Sequence, residues 1–528
     1  MTTSILESIP PEILEQIAYH VAVDSFLGPP SNIISLLSIS RRMYSCLSPS
    51  SNTCLYAKIF SHKFDLLAAM RRIGSERLST AVLTQELRRR CVLLKRIRSR
   101  MDACTDEQHI IRDDDTLHDI LIHAYLWMLE NEGKNERQLR EYARIDLWLN
   151  DYWFNLRGSS GAKRYIGLDL WPVQTRHAIL AMWLFWFTLK PEEYSREDDT
   201  SWKAMDILKV FALGAHRFYL ASPSWLDFIP QSYTKDLSEV TYYSEQLLLK
   251  PPPLAVPAIL SFITLVNQLQ EQTDYSTPFA PMDASTPRSS GSMEWEREWG
   301  RCYSLGQPTL DKFLTDSFAP GSLEGVWEGM FTYTEFAAYV ALLQGAPPPL
   351  LQRSLVVRHR QTWKLREHHL ISSDPSRSDS GIETDSDNAE PLPAGDPLRS
   401  YFPTGTSIRE HDWGVEVKQP YKDPVHYQRA AKNSPSRSEI GKTNVIDIII
   451  TGEGHSAWGQ FNLVGRIRPC DGFISLSKDY IDGDRGKWLY RGYLVGNANG
   501  NLAGRWRDTL SPVSVPGYEG CFTMTRRR

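Results

Sequence analysis

The sequence is short of several things, and each shortage excludes a class of protein. It holds seven cysteines in 528 residues, at 46, 54, 91, 104, 302, 470 and 521, and no two form a Cys-x-x-Cys pair. That spacing excludes a zinc ribbon and a thioredoxin-like motif, and so sparse and odd a set fits a reducing compartment better than a disulfide scaffold. Long apolar runs are missing. The richest window, HAILAMWLFWFTLK at 177–190, has a continuous apolar part far shorter than the roughly 20 residues that span a bilayer, and reads as a buried core helix. The opening MTTSILESIP lacks the basic start and apolar stretch of a signal peptide. The expected location is cytoplasmic, nuclear or both, with no membrane partner. Neither sign of charge dominates; the formal net charge of −4 speaks against a protein that coats nucleic acid.

What is present suffices for real cores: 41% hydrophobic and 23% charged residues, in a chain long enough for about three domains. The first part is helical and apolar. From about 76 to 270 follow amphipathic segments such as LHDILIHAYLWMLEN, LREYARIDLWLNDYWFNL and TRHAILAMWLFWFTL, with apolar residues at helical spacing. They share composition but no fixed period, so no solenoid is expected. Trp127, Trp148, Trp153, Trp183 and Trp186 read as a helical core rather than a cofactor box.

From Gly325 onward the pattern alternates by twos. In FNLVGRIR, Phe461, Leu463 and Ile467 oppose Asn462, Arg466 and Arg468; in KWLYRGYLV, Trp488 and Tyr490 oppose Lys487 and Arg491; in NLAGRWRD, Leu502 and Trp506 oppose Arg505 and Arg507. That is the period of half-buried antiparallel strands. Turns are expected at Asp471-Gly472, at Asp482-Gly483 and in the Asn/Gly-rich stretch at 497–501. Many short strands suggest a barrel or sandwich, which the final YEGCFTMTRRR would close against GVWEGMFTYTEF. Two Ser/Thr/Pro-rich tracts interrupt the order: a linker around 274–292 and an acidic insertion at 371–397.

Several lookalikes of chemistry fail on spacing. GHSAW, 454–458, ends in Trp458 where a nucleophile elbow needs glycine, and a strand follows where a helix is needed. Ser456 therefore reads as a loop serine. The Gly-Lys-Thr at 441–443 has Ser436 where a phosphate-binding loop needs glycine. The histidines of REHHL (366–370) and His411 read as solvated, so no metal or cofactor is expected. The basic run RRRCVLLKRIRSR, 88–100, reads as a helix with Val92, Leu93, Leu94 and Ile97 on its buried side, and no nucleic-acid partner is expected.

The opening SIPPEILEQIAYHV, 8–21, places two prolines before an apolar stripe of Ile13, Leu14 and Ile17, with Ser8 as a cap and Ile9 as a staple. Within it IPPEIL, 9–14, resembles the Leu-Pro-x-Glu-Ile-Leu signature that opens an F-box. LLSISRRMYSCLSPS, 36–50, resembles its second half, Leu-x-x-Val-Ser-Arg-x-Phe, with Ser40, Arg41 and Tyr44 in place. Ile9 replaces the leucine, and a loop with Gly28, Pro29 and Pro30 separates the halves. The resemblance implies docking onto a Skp-type adaptor, and through it a cullin, by Ile9, Pro10, Ile13, Leu14, Ile17, Leu36 and Leu37. More weakly, GVWEG (325–329) with WLYRGYLV and AGRWRD resembles the β-barrel of the F-box receptor that binds cyclin D, a module of fungal F-box proteins. The Gly-x-Trp opening also resembles that of lipocalins.

The expected fold is thus α+β and multidomain: an N-terminal F-box three-helix unit at 4–74 and an all-α middle domain at 75–271. A partly disordered linker at 272–322 would lead to a lipocalin-like antiparallel β-barrel at 323–528, with a disordered insertion at 371–400. The expected role is a non-catalytic substrate-recognition subunit of a Skp–cullin–F-box ubiquitin ligase, binding an unidentified target protein. Trp327, Trp458, Arg491, Arg505 and Trp506 are candidate target contacts, because Trp and Arg are enriched at interface hot spots; a barrel-core role competes for the tryptophans. DSGIET, 379–384, resembles a phosphodegron, with Ser380 and Thr384 as phosphosites, against an acidic linker as the plainer reading. The alternatives are a lipocalin-like small-ligand binder and an F-box scaffold working outside a ligase.

Overall fold

The computed structural model describes residues 9–105, 115–194, 199–230, 237–271, 291–310, 314–354, 356–372, 390–430, 445–483, 485–496 and 500–527. Helix α1 (Pro11–Val23) starts with Pro10 at the cap position and Pro11 as its first residue, and no side chain caps it. Prolines suit this place because the first-turn N–H groups have no intrahelical acceptor. Ser8 lies outside the described residues. After α2 (Ile33–Leu37) comes α3 (Arg41–Leu47), capped by Ser40, whose Oγ accepts from the Met43 N–H at 3.3 Å. Next come α4 (Thr53–Lys63), α5 (Leu67–Ile73) and α6 (Thr80–Ser99). The basic run lies on α6. Leu93, Leu94 and Ile97 turn inward as expected, but Val92 is exposed, and Arg90 is wholly buried between Glu86 and Glu130 at 3.0 and 2.7 Å.

The middle layer comprises α7 (Asp115–Leu129), α8 (Ile145–Phe154), α9 (Arg176–Thr188), α10 (Asp199–Leu213) and α11 (Ala255–Glu271), with a hairpin of β1 (Ser238–Tyr242) and β2 (Glu245–Leu249) that the periodicity does not anticipate. Trp127, Trp148, Trp153, Trp183 and Trp186 are all buried there. Among the described residues no helix is long and apolar enough to cross a membrane. The stretch read as a partly disordered linker contains α12 (Glu296–Leu305), with Glu298, Arg301 and Cys302 buried. The expected boundary at 74/75 falls at Gly74, whose φ of 86° ends α5, yet α4 packs along α6 across it and one apolar core spans both sides.

The C-terminal sheet is built from β3 (Gly325–Thr334), β4 (Val356–Ile371), β5 (Ser407–His411), β6 (Gly414–Lys418), β7 (Val425–Arg429), β8 (Val445–Ser456), β9 (Gly459–Ile467), β10 (Ile474–Tyr480), β11 (Lys487–Val495), β12 (Asn501–Asp508) and β13 (Glu519–Arg526). The order β3-β13-β12-β11-β10-β9-β8-β4 closes on itself through β3–β4, giving an antiparallel barrel of eight strands. The last strand closes against the first, Phe522 opposite Phe331 and Arg526 opposite Trp327. The long β4 also carries β7, β6 and β5 as an extension beyond the barrel. Eight strands leave an interior about wide enough for side chains to fill, and Trp327, Trp363, Leu463, Leu476, Phe522 and Met524 fill it. Gly520 is required where it stands: a Cβ there would meet the Thr332 carbonyl at 2.1 Å and the Trp506 ring at 2.6 Å.

The alternation places the arginines on the outer wall, as expected, but that wall does not face water. Arg466, Arg491 and Arg505 form a transverse row with Ser475 between the first two, by the pairings Arg466–Ser475, Ser475–Arg491 and Arg491–Arg505, and all are buried. Arg505 donates to the carbonyls of Phe211 and Ala212, in the last turn of α10, at 3.2 and 3.1 Å. Those carbonyls have no acceptor role left inside the helix, so the barrel supplies the cation that a helix C-terminus favours. Arg466 donates to the carbonyls of Leu392 and Tyr401 at 2.9 and 3.1 Å and to Asp447 Oδ2 at 2.8 Å. This corrects the expected disordered insertion at 371–400. From residue 390 the chain is packed on the barrel wall, with Leu392 and Ser400 buried. Residues 373–389, which include Ser380 and Thr384, lie outside the described residues.

Beside this row, Arg468, Asp471, Tyr493 and Arg301 form a buried knot. Arg468 Nε donates to Asp471 Oδ1 at 2.8 Å, the Tyr493 hydroxyl to Oδ2 at 2.8 Å, and Arg301 Nε on α12 to the Asp471 carbonyl at 2.9 Å. Burial alone would raise the Asp471 carboxyl, but the Arg468 guanidinium outweighs it and holds the group below its ordinary value. Asp471→Asn would leave the Arg468 charge buried without its counter-charge. It is expected to lower unfolding stability by about 3 kcal/mol in chemical denaturation, with Asp471→Asn/Arg468→Met recovering part of the loss; a double variant no better than the single would contradict this account.

Candidate functional site

Two surfaces follow from the residues singled out in the sequence. The first is the outer side of the N-terminal helices. On α1 the apolar positions divide into two lines. Leu14, Ala18 and Ala22, spaced by four, are buried in the core, whereas Ile13 and Ile17 remain 52% and 38% exposed. Ile34 on α2, Ile39 in the turn between α2 and α3, and Tyr44 on α3 are exposed as well, by half or more. Ile9, Leu36 and Leu37 are half-buried against the core, and Pro10 is exposed. The seven carried-over positions thus do not share one role. Leu14 is corrected to an interior residue, because it lies on the line that α1 turns toward its own neighbours. Arg42, in the first turn of α3, fixes the start of α1, its Nη2 donating to the Ile9 carbonyl at 2.9 Å. Glu15 tethers α1 to α4 by accepting from Lys58 at 2.7 Å.

The second surface is one mouth of the barrel. Phe331 and Tyr333 from the end of β3, Trp458 from the β8–β9 turn, Trp488 from β11 and Trp506 from β12 wall a cup of about 160 Å³. Trp458 and Trp506 are brought together here, both against Phe331, with ring centroids at 5.2 and 6.4 Å. Trp327 is not part of it. It lies four residues back along β3, about 13 Å away, wholly buried, with its indole N–H donating to the Leu323 carbonyl at 2.9 Å. Arg491 and Arg505 are corrected as target contacts. They lie on the outer wall beneath the helical layer, Arg505 capping α10 and Arg491 lying 3.8 Å from the Trp225 ring centroid.

The floor of the cup is Lys478, which the sequence reading passed over. In ISLSKDY it occupies an inward place in the alternation, between Leu476 and Tyr480, and that is the signal that marks it. Its ammonium is ringed by aromatic faces, 3.8 Å from the Phe461 centroid, 4.9 Å from Tyr480 and 5.2 Å from Tyr490. Its Nζ donates to Gln361 Oε1 at 3.2 Å. Burial pushes this lysine down to about 7; the ring faces offset part of that cost. A cup of this volume takes a group the size of benzene, and behind it the side chains of the barrel core pack the interior.

The lookalikes resolve simply. Ser456 ends β8, accepts from the Trp458 N–H at 3.3 Å and lies 3.2 Å from the Tyr480 hydroxyl; a β-hairpin, not a helix, follows it. The Gly-Lys-Thr at 441–443 lies outside the described residues. His368 is buried with its Nε2 2.8 Å from Thr451 Oγ1, and His411 stacks on Trp413. Among the described residues no cluster of His, Cys, Asp and Glu could hold a metal ion.

Lys478 yields a pH test. With its folded value below that of the unfolded chain, the unfolded state binds more protons between about 7 and the ordinary lysine range. The destabilisation is therefore complete below about 7 and fades as pH rises. Lys478→Met is expected to stabilise the protein at pH 6 by about 2 kcal/mol more than at pH 9, read by denaturant unfolding at both pH values; an equal gain at both would refute the assignment.

Against this geometry, no family model, curated protein or solved structure matches the chain.

Proposed function

We propose that the chain is the substrate-recognition subunit of a Skp–cullin–F-box ubiquitin ligase. The observation that carries the reading is the apolar line left outside on the N-terminal helices. Ile13 and Ile17 point away from the core while Leu14, Ala18 and Ala22, on the same helix, are sealed within it. An isolated domain gains nothing by keeping such a line in water, whereas each isoleucine buried against a partner contributes about 1.5–3 kcal/mol. Ile34 and Tyr44 extend the exposed apolar set on α2 and α3. The motif resemblance falls on the same helices: Ser40 of the Val-Ser-Arg-like segment caps α3, and the proline pair opens α1.

In this reading the adaptor covers Ile13, Ile17 and Ile34, with Pro10 at the edge, and the cullin binds through the adaptor. The cup at the barrel mouth takes an apolar or aromatic side chain of the target, with Trp458 at its rim. No bond is made or broken on this chain; its contribution is to hold the target's lysine near a thioester carried by another enzyme, converting an encounter into an intramolecular step.

Co-expression with a Skp-type adaptor tests the reading. Wild type should co-purify with the adaptor. Ile13→Asp/Ile17→Asp, both at exposed positions, should fold as judged by thermal unfolding and lose at least nine-tenths of the recovered adaptor. Equal recovery by both proteins, or none by the wild type, would remove the proposal.

A further inference from the structure

Between the helical layer and the outer barrel wall lies a cavity of about 530 Å³. Among the described residues, Arg176, Lys250, Arg491, Arg505 and Arg507 line it with a single carboxylate, Glu519. His216 adds none: burial pushes it down to about 4, so it is neutral at ordinary pH. Arg491 and Arg505 are direct cross-strand partners on β11 and β12, a placement in which like charges repel.

The neighbours of Arg491 are accounted for. Arg505 caps the last turn of α10, Arg507 Nη2 donates to the carbonyls of Ser511 and Pro512 at 3.1 and 3.3 Å, and Arg176 reaches Asp115 at 2.6 Å. Arg491 is different. It is 2% exposed, its Nη2 donates to Glu519 Oε2 at 3.2 Å, and its Nε and Nη1 have no partner among the described residues. Its guanidinium lies against the Trp225 ring, 3.8 Å from the centroid. Burial pulls this group down, and Glu519 does not restore it. Buried donors without acceptors are rare and costly, and the one counter-ion, Glu519, meets only one of the three guanidinium nitrogens.

We propose that this cavity is a binding site for a small phosphate-bearing molecule, whose phosphate is received by an idle donor of Arg491. Nε and Nη1 lie on opposite edges of the guanidinium, so the phosphate takes one of them, in the charge-assisted hydrogen bond that arginine makes to phosphate. A phosphate also brings two negative charges on a single centre, where each carboxylate group, in citrate as elsewhere, brings one. The volume falls within the range of small-molecule sites and exceeds what a single phosphate ion fills. The ligand would sit where the two layers meet and so strengthen their contact.

The test is thermal unfolding and calorimetric titration of the full chain at fixed ionic strength. The probes are inorganic phosphate, ATP, inositol hexakisphosphate and, as the carboxylate control, citrate. At least one phosphate-bearing probe should raise the unfolding temperature saturably and bind at least tenfold more tightly than citrate. Tightest binding by an organic probe identifies a phosphorylated small molecule; binding confined to inorganic phosphate supports the phosphate site but assigns it to the free ion. Arg491→Met should abolish the shift. Arg176→Gln, at the partly exposed rim, should weaken binding several-fold with the unliganded unfolding temperature unchanged, and it decides the matter if the Met variant does not fold. No shift with any phosphate probe, binding of citrate equal to phosphate, or unchanged affinity in Arg176→Gln together with a retained shift in Arg491→Met would overturn the proposal.

Discussion

The structure depends on arginines of the barrel wall donating to backbone carbonyls that other segments cannot satisfy themselves. Arg505 takes the end of α10, Arg466 takes the returning chain at 392–401, and Arg468 takes the carbonyls of Ser224 and Asp227 at 2.7 and 3.2 Å. A buried carbonyl without a donor costs about as much as a lost hydrogen bond. A sheet of aliphatic residues could cover these segments but could not pair with them. The arginine combines a long apolar stem, which packs, with a fork of donors, which caps. This explains why a polar face of a β-barrel is the buried face.

The same contact fixes how the parts are arranged. One apolar core runs from Leu14 in the first helix through the aromatic middle layer to Tyr493, Ala503 and Cys521 on the outer barrel wall, whereas the barrel interior is a separate core around Trp327 and Trp363. The barrel is therefore not tethered to the helices at one edge but seated on them. Such seating holds the exposed line of α1 and the aromatic cup at one separation; on the proposed reading, little orientational freedom would then remain to be lost on binding adaptor and target. The middle layer is the body on which both ends are mounted.

Much of the fold was legible because the two periodicities are strong. The proline pair marked the start of α1, the Asp-Gly turns at 471–472 and 482–483 marked strand ends, with φ of 69° at both glycines, and the last strand was correctly joined to the first. What alternation cannot say is what each face meets. Arg466, Arg491 and Arg505 were assigned to the outward face and hence to solvent or a target, but outward on a strand is not outward on the molecule when a second layer covers the sheet. The split on α1 was hidden for a related reason. Ile13 and Leu14 are adjacent and equally apolar, and only the direction of the neighbouring helices decides which is core. Lys478 was legible and overlooked: a lysine in an inward place, flanked at two residues on either side by Leu476 and Tyr480, breaks the pattern.

That break and the half-satisfied Arg491 belong together. Most of this molecule obeys the rule that buried charge is paired: Arg90 with Glu86 and Glu130, Arg468 with Asp471, Arg301 with Glu298. Lys478 does not, and Arg491 does so with only one of its donors. The first has an amide and ring faces for company, the second a single carboxylate and two idle donors. Natural chains depart from local consistency chiefly where binding demands it, and both departures here line cavities rather than solid core. Had these side chains served packing alone, an aliphatic residue of similar length would have filled either place without the cost of desolvating a cation. On the proposed readings these two side chains, one at the open end of the barrel and one beneath the helical layer, mark binding sites there, apart from the exposed line of α1.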